Sequence, residues 1–360
     1  MKIFFYFLTF SLISFAQAQN TFTVSGTVVN DVTGAPMPAA SVFAQNTTLG
    51  TATDADGNFK LQLPAGGYDL IITYTGYRTE SRRISTAVAA EKINIRLREK
   101  EKELETVSIV STNEVADGLA KYGAFFNEEF IGKTTNSVLT SIQNPEVLHF
   151  FFSRKKNRLK ITATEPLIIK NNALGYNIKY SLDSFTHEYN TEVSTYTGYP
   201  LFEEMHGDSI QMQQWAVARH KAYNGSLLHF MRSIFNRELK AQEFEIQFLV
   251  KINDKDNAVK IKDPYSALNY EKDDSTHTVE IIPNQKNVGV LYAGSKPSDA
   301  YLRNNPGEPS QLRFSLLSFV PNETIVIEQN GYFYNQNDIS ISGYWAWEKV
   351  SDQLPYDFMQ

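Results

Sequence analysis

Residues 51–77 read TATDADGNFKLQLPAGGYDLIITYTGY. The first half, from Asp54 to Asn58, has the opening of a calcium loop, and the second half alternates strands with turns. An EF-hand loop beginning at Asp54 needs an oxygen ligand at its fifth position, glycine at its sixth and a bidentate glutamate at its twelfth. Asn58 suits the fifth, but the sixth is Phe59 and the twelfth is Ala65. Two carboxylates carry too little charge for an all-oxygen site. Aspartate bonds nearby backbone amides and glycine takes a positive φ without steric cost, so TDADGN reads as a hairpin turn. After it, Phe59, Leu61 and Leu63 share one strand face. PAGG then turns the chain, and Leu70, Ile72 and Tyr74 share one face of the strongest strand.

The same alternation extends outward. Phe22, Val24, Gly26 and Val28 share a face, a turn follows through Gly34, Pro36 and Pro38, and a last strand places Ile93, Ile95 and Leu97 together. Short strands divided by Gly/Pro turns predict an antiparallel sandwich. SGTV, the G-x-P-x-P-x-A-x-V turn and strand, G-T-x-T-D-x-D-G-x-F and the terminal Y-x-G-Y together resemble the carboxypeptidase-regulatory-like domain of Gram-negative envelope proteins, over about residues 22–99. The resemblance implies a transthyretin-like Greek-key sandwich of about seven strands. The charged run REKEKELE, Arg98 to Glu105, has nothing to bury and reads as a solvated linker. ELETVSIV behind it resembles the junction after this domain in TonB-linked outer-membrane receptors. A receptor's plug and barrel would need several hundred residues more than the 360 here, so the chain is not read as a receptor.

Composition narrows the classes. Aromatic residues make up 13% of the chain, with 19 Tyr and 24 Phe, which favours pleated surfaces. A net charge of -6 gives no basic footprint for nucleic acid. The absence of cysteine excludes disulfides, thiolate metal sites and cysteine catalysis. At the N-terminus, Lys2, the apolar run Ile3 to Phe15 and Ala16-Gln17-Ala18 read as a signal peptide over residues 1–18, cleaved after Ala18. With no later apolar run of spanning length, no membrane-spanning segment is expected after cleavage.

The organisation expected is therefore a signal peptide (1–18), the regulatory-like β-sandwich (19–99), a charged linker (100–111) and a larger antiparallel β-rich α+β domain (112–360) with an inserted helical pair, giving a mainly β protein. Within the last part, HFFFSRKKNRLKITA reads as a hairpin with RKKNR at its tip. Trp215 to Tyr223 reads as one helix. Leu227, Leu228, Met231, Ile234 and Phe235 mark a second with Ser226 as its N-cap. FFNEEFIGKTTNS, RHKAYNGSLLHFMRSIF and GYWAWEKVSDQLPYDF resemble the C-terminal region of envelope proteins that carry the regulatory-like domain, a region to which no activity attaches.

Candidate chemistry is sparse. His277-Thr278-Val279-Glu280 has the H-x-x-E spacing of a zinc peptidase, but His277 is the last of six histidines and no downstream ligand follows. No metal site and no cofactor are expected. One cluster stands out: Arg219, His220, Tyr223, Ser226, His229 and Arg232 surround a helix turn. They can hold an anionic group at the helix N-terminus, or serve as a cap, core and solvated charges. Tyr196, Tyr199, Tyr332 to Tyr334 and Tyr344-Trp345-Ala346-Trp347 can stack on sugars or fill a core, and Trp345 and Trp347 would share one strand face. The reading favoured is a non-enzymatic, exported envelope protein of the periplasm or outer-membrane surface. Its partner would be an envelope protein or a glycan. A glycan-binding accessory protein and a hydrolase using the Arg219–His229 segment are the alternatives.

Overall fold

The structure, a computed structural model, describes residues 21–86, 92–100, 113–252, 255–334 and 336–359. The leader and nearly all of the charged linker lie outside the described residues. The chain is mainly β, with three apolar clusters.

Seven strands build the first body: β1 (Thr21–Asn30), β2 (Ser41–Ala44), β3 (Gly50–Ala52), β4 (Asn58–Pro64), β5 (Gly67–Thr73), β6 (Glu80–Ser85) and β7 (Ile93–Leu97). They form two sheets, ordered β4-β1-β7 and β3-β2-β5-β6. The alternation expected of each strand is met: Val24, Val28, Phe59, Leu61, Leu63, Leu70, Ile72, Ile95 and Leu97 are buried between the sheets. Gly26 faces Ile93 across the parallel β1–β7 pair, where a Cβ would lie 2.0 Å from the Ile93 carbonyl oxygen.

One turn differs from expectation. β3 and β4 belong to different sheets, so TDADGN is a crossing between sheets, not a hairpin, and the PAGG turn between β4 and β5 crosses likewise. The reason lies in local chemistry that serves both geometries. Asp54 Oδ1 accepts the amides of Asp56 at 3.0 Å and Asn58 at 2.8 Å, and Gly57 takes φ +73°. These bonds hold Asp54 below the usual carboxylate range. Its carboxylate is thus engaged with backbone.

A second body follows helix α1 (Gly118–Phe130). Its strands are β8 (Thr140–Ile142), β9 (Leu148–Ser153), β10 (Arg158–Ala163), β11 (Leu167–Asn171), β12 (Tyr176–Glu188) and β13 (Val193–Glu204), in one antiparallel sheet. β9 and β10 are the expected hairpin with Arg154 to Asn157 at its tip. Phe126 and Phe130 of α1 pack on the sheet with Ile161, Ile169, Ile178 and Phe185.

The helical pair comes next, α2 (Ser209–Tyr223) and α3 (Leu227–Phe235). α2 starts six residues before the helix expected at Trp215, because Asp208 and Gln211 form a capping box. The pair bridges two cores: Tyr223 belongs to the cluster under the first sheet, while Phe230, Met231 and Ile234 belong to the next. That next body has a five-stranded sheet of β14 (Phe244–Ile252), β15 (Lys255–Lys260), β18 (Asn287–Tyr292), β19 (Arg313–Phe319) and β21 (Ile339–Gly343). Beside it stands a three-stranded sheet of β16 (Glu271–Asp273), β17 (Thr278–Ile281) and β20 (Ile325–Glu328). Short helices α4 (Pro264–Ala267), α5 (Asp299–Asn304) and α6 (Tyr344–Trp347) complete it. The chain then returns to the first sheet, where Val350 and Leu354 close its core.

Trp345 and Trp347 therefore do not share a strand face. Gly343, at φ +73°, ends β21, and the helical turn behind it rotates positions two apart by roughly 200°. Trp345 turns into the core and donates from Nε1 to Gly225 O at 2.7 Å, whereas Trp347 stays half-buried.

Gly57 offers a direct test of the crossing. A Cβ there would lie 2.5 Å from Val28 O. Gly57→Ala should cost about 1–2 kcal/mol for the left-handed backbone alone, more with the clash. The melting temperature should fall accordingly, while millimolar calcium leaves that of the parent protein unchanged.

Candidate functional site

The six residues singled out around the α2–α3 turn do come together, as a joint of the fold. Arg219, largely buried, donates from Nε to Leu174 O at 2.7 Å, from one terminal nitrogen to Gly175 O at 3.0 Å and from the other to Glu204 Oε1 at 3.1 Å, and it lies over the Tyr176 ring. Tyr223 is buried between the rings of His229 and Phe358. Ser226 caps α3, its Oγ accepting the His229 amide at 3.1 Å. His229 is buried; Nδ1 accepts the Gly225 amide at 3.0 Å and Nε2 lies 3.0 Å from Gln242 Oε1. Since Nδ1 accepts, Nε2 carries the proton and donates to Gln242. Both ring nitrogens of His229 are thus engaged, and the Ser226 hydroxyl oxygen accepts from a backbone amide. His220 is exposed, its ring 5.8 Å from that of Phe358.

Arg232 forms the tightest node. Nε donates to Asn330 O at 3.0 Å, and the two terminal nitrogens donate to Phe358 O at 3.0 Å and Tyr356 O at 2.9 Å. The partners of Arg219, His229 and Arg232 are thus backbone carbonyls and an amide with one carboxamide and one carboxylate, and those of Arg232 come from about 100 residues or more downstream. The arrangement orders the chain and leaves these donors engaged.

Open concave space lies elsewhere, at the end of β21. Trp347 and Ala346 separate two hollows. One, of about 160 Å³, is lined by Glu128, Glu129, Gly132, Lys133 and Lys349. The other, of about 250 Å³, is lined by Tyr301, Asn305, Glu308 and Gly343. The Tyr301 ring packs edge-on against Trp347 at 5.8 Å and Tyr344 at 4.8 Å. Arg313 lies over Tyr344 and pairs with Glu348 at 3.5 Å. Burial, with help from Asp352 and against Arg313, pushes the Glu348 carboxyl up to about 8. Burial also raises Glu308. Trp347 Nε1 and Glu308 Oε2 are shielded from solvent and have no hydrogen-bond partner among the described residues. Of these residues, sequence reasoning singled out Tyr344, Trp345 and Trp347 alone. Tyr301, Asn305 and Glu308 sit on a Pro/Gly/Asn-rich connection whose spacing carries no periodic signal. Among the described residues no group of three or more His, Asp or Glu side chains is placed to hold a metal ion.

With this geometry in hand, comparison with known proteins locates the first body. Residues 24–109 match the CarboxypepD_reg-like domain family. Over 105 residues the chain is 32% identical to the TonB-dependent receptor SusC of Bacteroides thetaiotaomicron, covering 29% of this chain and 10% of that one. Over 95 residues it is 30% identical to the TonB-dependent receptor P3 of Formosa agariphila, covering 26% and 9%. The chain thus spans about a tenth of the length of these curated relatives. A solved DUF3823 family protein from Bacteroides ovatus aligns over 90% of this chain and 96% of its own, at 8% identity and a TM-score of 0.19, too low to carry an argument.

Two substitutions test the joint. Arg232→Lys keeps the charge but loses the planar fork, so at least one charged hydrogen bond goes, at about 1.5–3 kcal/mol. It should lower the urea midpoint and expose the C-terminal segment to carboxypeptidase digestion. Burial depresses the His229 pKa below its ordinary 6.5. The unfolded imidazole therefore protonates first, and the stability that His229 supplies above about pH 6.5 is lost as pH falls through the lowered folded value. His229→Gln should flatten that acid loss between pH 7.5 and 5.5 in urea titrations.

Proposed function

Because residues 24–109 carry the CarboxypepD_reg-like domain, we propose that the chain is a non-enzymatic protein of the cell envelope, exported by residues 1–18, whose sandwich is a fixed scaffold arm. The C-terminal sheets would present the surface that meets a partner or ligand. The similarity of about 100 residues of this chain to TonB-dependent receptors supports an outer-membrane setting, with the protein in the periplasm or at the surface.

The observation that carries the scaffold reading is the buried outer face of the sandwich. β5 hides Leu70 and Ile72 inside, yet Ile71 on the opposite face is 0% exposed, and Phe43 on β2 is 4% exposed. Asp69 shares the face of Ile71 and accepts the Tyr332 hydroxyl at 2.8 Å. Asn330 Nδ2 donates to Gly67 O at 2.9 Å. From the other side, the Asn46 amide donates to Pro200 O and the Tyr356 amide to Asn46 O, at 2.8 and 2.7 Å. Thr48 donates from both amide and hydroxyl to Asp357. A module tethered only by its linker would leave an apolar outer face in water; burying a side chain such as Ile71 is worth about 1.5–3 kcal/mol. Contacts of this kind set one orientation between arm and body, as a scaffold requires.

A second reading, a glycan-binding accessory protein of the outer membrane, is favoured by one feature, the aromatic-walled cleft beside Trp347. Two measurements test the primary reading. Fractionation of producing bacteria should recover the mature chain with the envelope; recovery in the cytosol overturns the location. Calorimetry should give one unfolding transition for the full chain, split into two by Asn330→Ala combined with Tyr332→Phe. Two transitions in the unaltered protein overturn the fixed arm.

A further inference from the structure

The 250 Å³ hollow between α5 and α6 has a composition that selects among ligands. Its walls are two aromatic rings, Tyr301 and Trp347, the Asn305 carboxamide, the Glu308 carboxyl and the backbone around Gly343 and Ala346. Among the described residues no lysine or arginine lines it, and a carboxyl stands in the wall, so an anionic ligand would meet repulsion with no compensating cation in the lining. A wholly apolar ligand would strip water from the Asn305 carboxamide and the Glu308 carboxyl in the wall without replacing its hydrogen bonds, at about 1–3 kcal/mol each. The volume is below the roughly 300–1,000 Å³ of sites for drug-sized molecules, so the occupant is small.

We propose that this hollow is a subsite for one neutral pyranose ring, with Trp347 as the stacking platform and Asn305 and Glu308 as hydroxyl-binding groups. A pyranose presents a patch of C–H bonds on one face and hydroxyls around its rim. Each hydroxyl both donates and accepts. The C–H face suits the half-buried indole, and the rim can donate to the Glu308 carboxyl and both donate to and accept from the Asn305 carboxamide. Tyr301 fixes the indole edge-on, so the platform is held before a ligand arrives, which lowers the entropic cost of binding. A second ring of an oligosaccharide would reach over Trp347 to the 160 Å³ hollow on its other side, lined by Glu128, Glu129, Lys133 and Lys349.

This inference rests on the binding-protein reading above and gives it a ligand class. Its test uses the full mature chain, titrated with glucose, galactose, mannose, N-acetylglucosamine and their β- or α-linked disaccharides. Tryptophan fluorescence and saturation-transfer NMR are the readouts. At least one neutral sugar should give a saturable fluorescence change, its disaccharide binding more tightly. Trp347→Ala should weaken it tenfold or more, and Glu308→Gln several-fold, while Trp215→Phe leaves it intact. Glucuronate should bind at least tenfold more weakly than the matching neutral sugar. No saturation transfer from any neutral sugar, or binding indifferent to Trp347→Ala in a variant with unchanged circular dichroism, overturns the proposal. Equal binding of glucuronate overturns the assignment of Glu308. Envelope fractionation decides the location separately, so a chain found in the envelope that ignores sugars sinks this inference and leaves the scaffold reading standing.

Discussion

A guanidinium offers five N–H donors in a fixed plane and no acceptor, so a partly buried arginine organises whatever carbonyls surround it. Arg232 does this where the chain's separate bodies meet. It binds Asn330 O and Tyr356 O, and the same two residues hold the sandwich: Asn330 through its side chain to Gly67 O, Tyr356 through its amide to Asn46 O. A helix in the middle of the chain thereby sets two segments nearly a hundred residues and more downstream, and these in turn set the N-terminal sandwich. Neither contact with the sandwich involves Arg232 directly. Both depend on the loop geometry that its three hydrogen bonds impose.

The sandwich was largely legible because its signal is local. Alternation with period two in β1, β4 and β7 places the inward residues correctly, and Gly/Pro/Asp clusters mark where strands stop. Connectivity was not legible. Asp54 bonding two amides and Gly57 at positive φ make a tight reversal whether the next strand pairs with the last or crosses to the other sheet. The docked outer face did leave a trace. Leu70-Ile71-Ile72 is a continuous apolar run, the pattern of a strand covered on both faces, where a solvated sheet would alternate.

The residues of the α2–α3 turn show the opposite failure. Their chemistry was evident from type and spacing, and Ser226 sits where a cap belongs. Their partners were not, because Leu174, Gln242, Asn330 and Phe358 lie far away in sequence. A histidine with both nitrogens engaged and a histidine poised for catalysis look the same as letters. Only the Gly225 amide and Gln242 carboxamide distinguish them here. The cleft escaped for a related reason: Tyr301 and Glu308 stand on a connection without periodicity, and the Trp347 pattern, two residues from Trp345, fits a strand until Gly343 turns the chain.

That turn at Gly343 links the cleft to the rest of the molecule. A Cβ at this position would lie 2.7 Å from Phe314 O, so the backbone passes close over β19 in a conformation that favours glycine. From there one short segment does three things in sequence. Trp345 fills the core of the five-stranded body, Trp347 forms the cleft wall, and Val350 and Leu354 close the first sheet before Tyr356 and Phe358 reach Arg232. The cleft wall is therefore not a free loop. It is clamped on one side by a buried indole and on the other by the carbonyls that Arg232 holds, and a ligand resting on Trp347 would touch a segment whose position both bodies already determine. Such a wall resists rearrangement, and the surface it presents is a consequence of how the scaffold is closed.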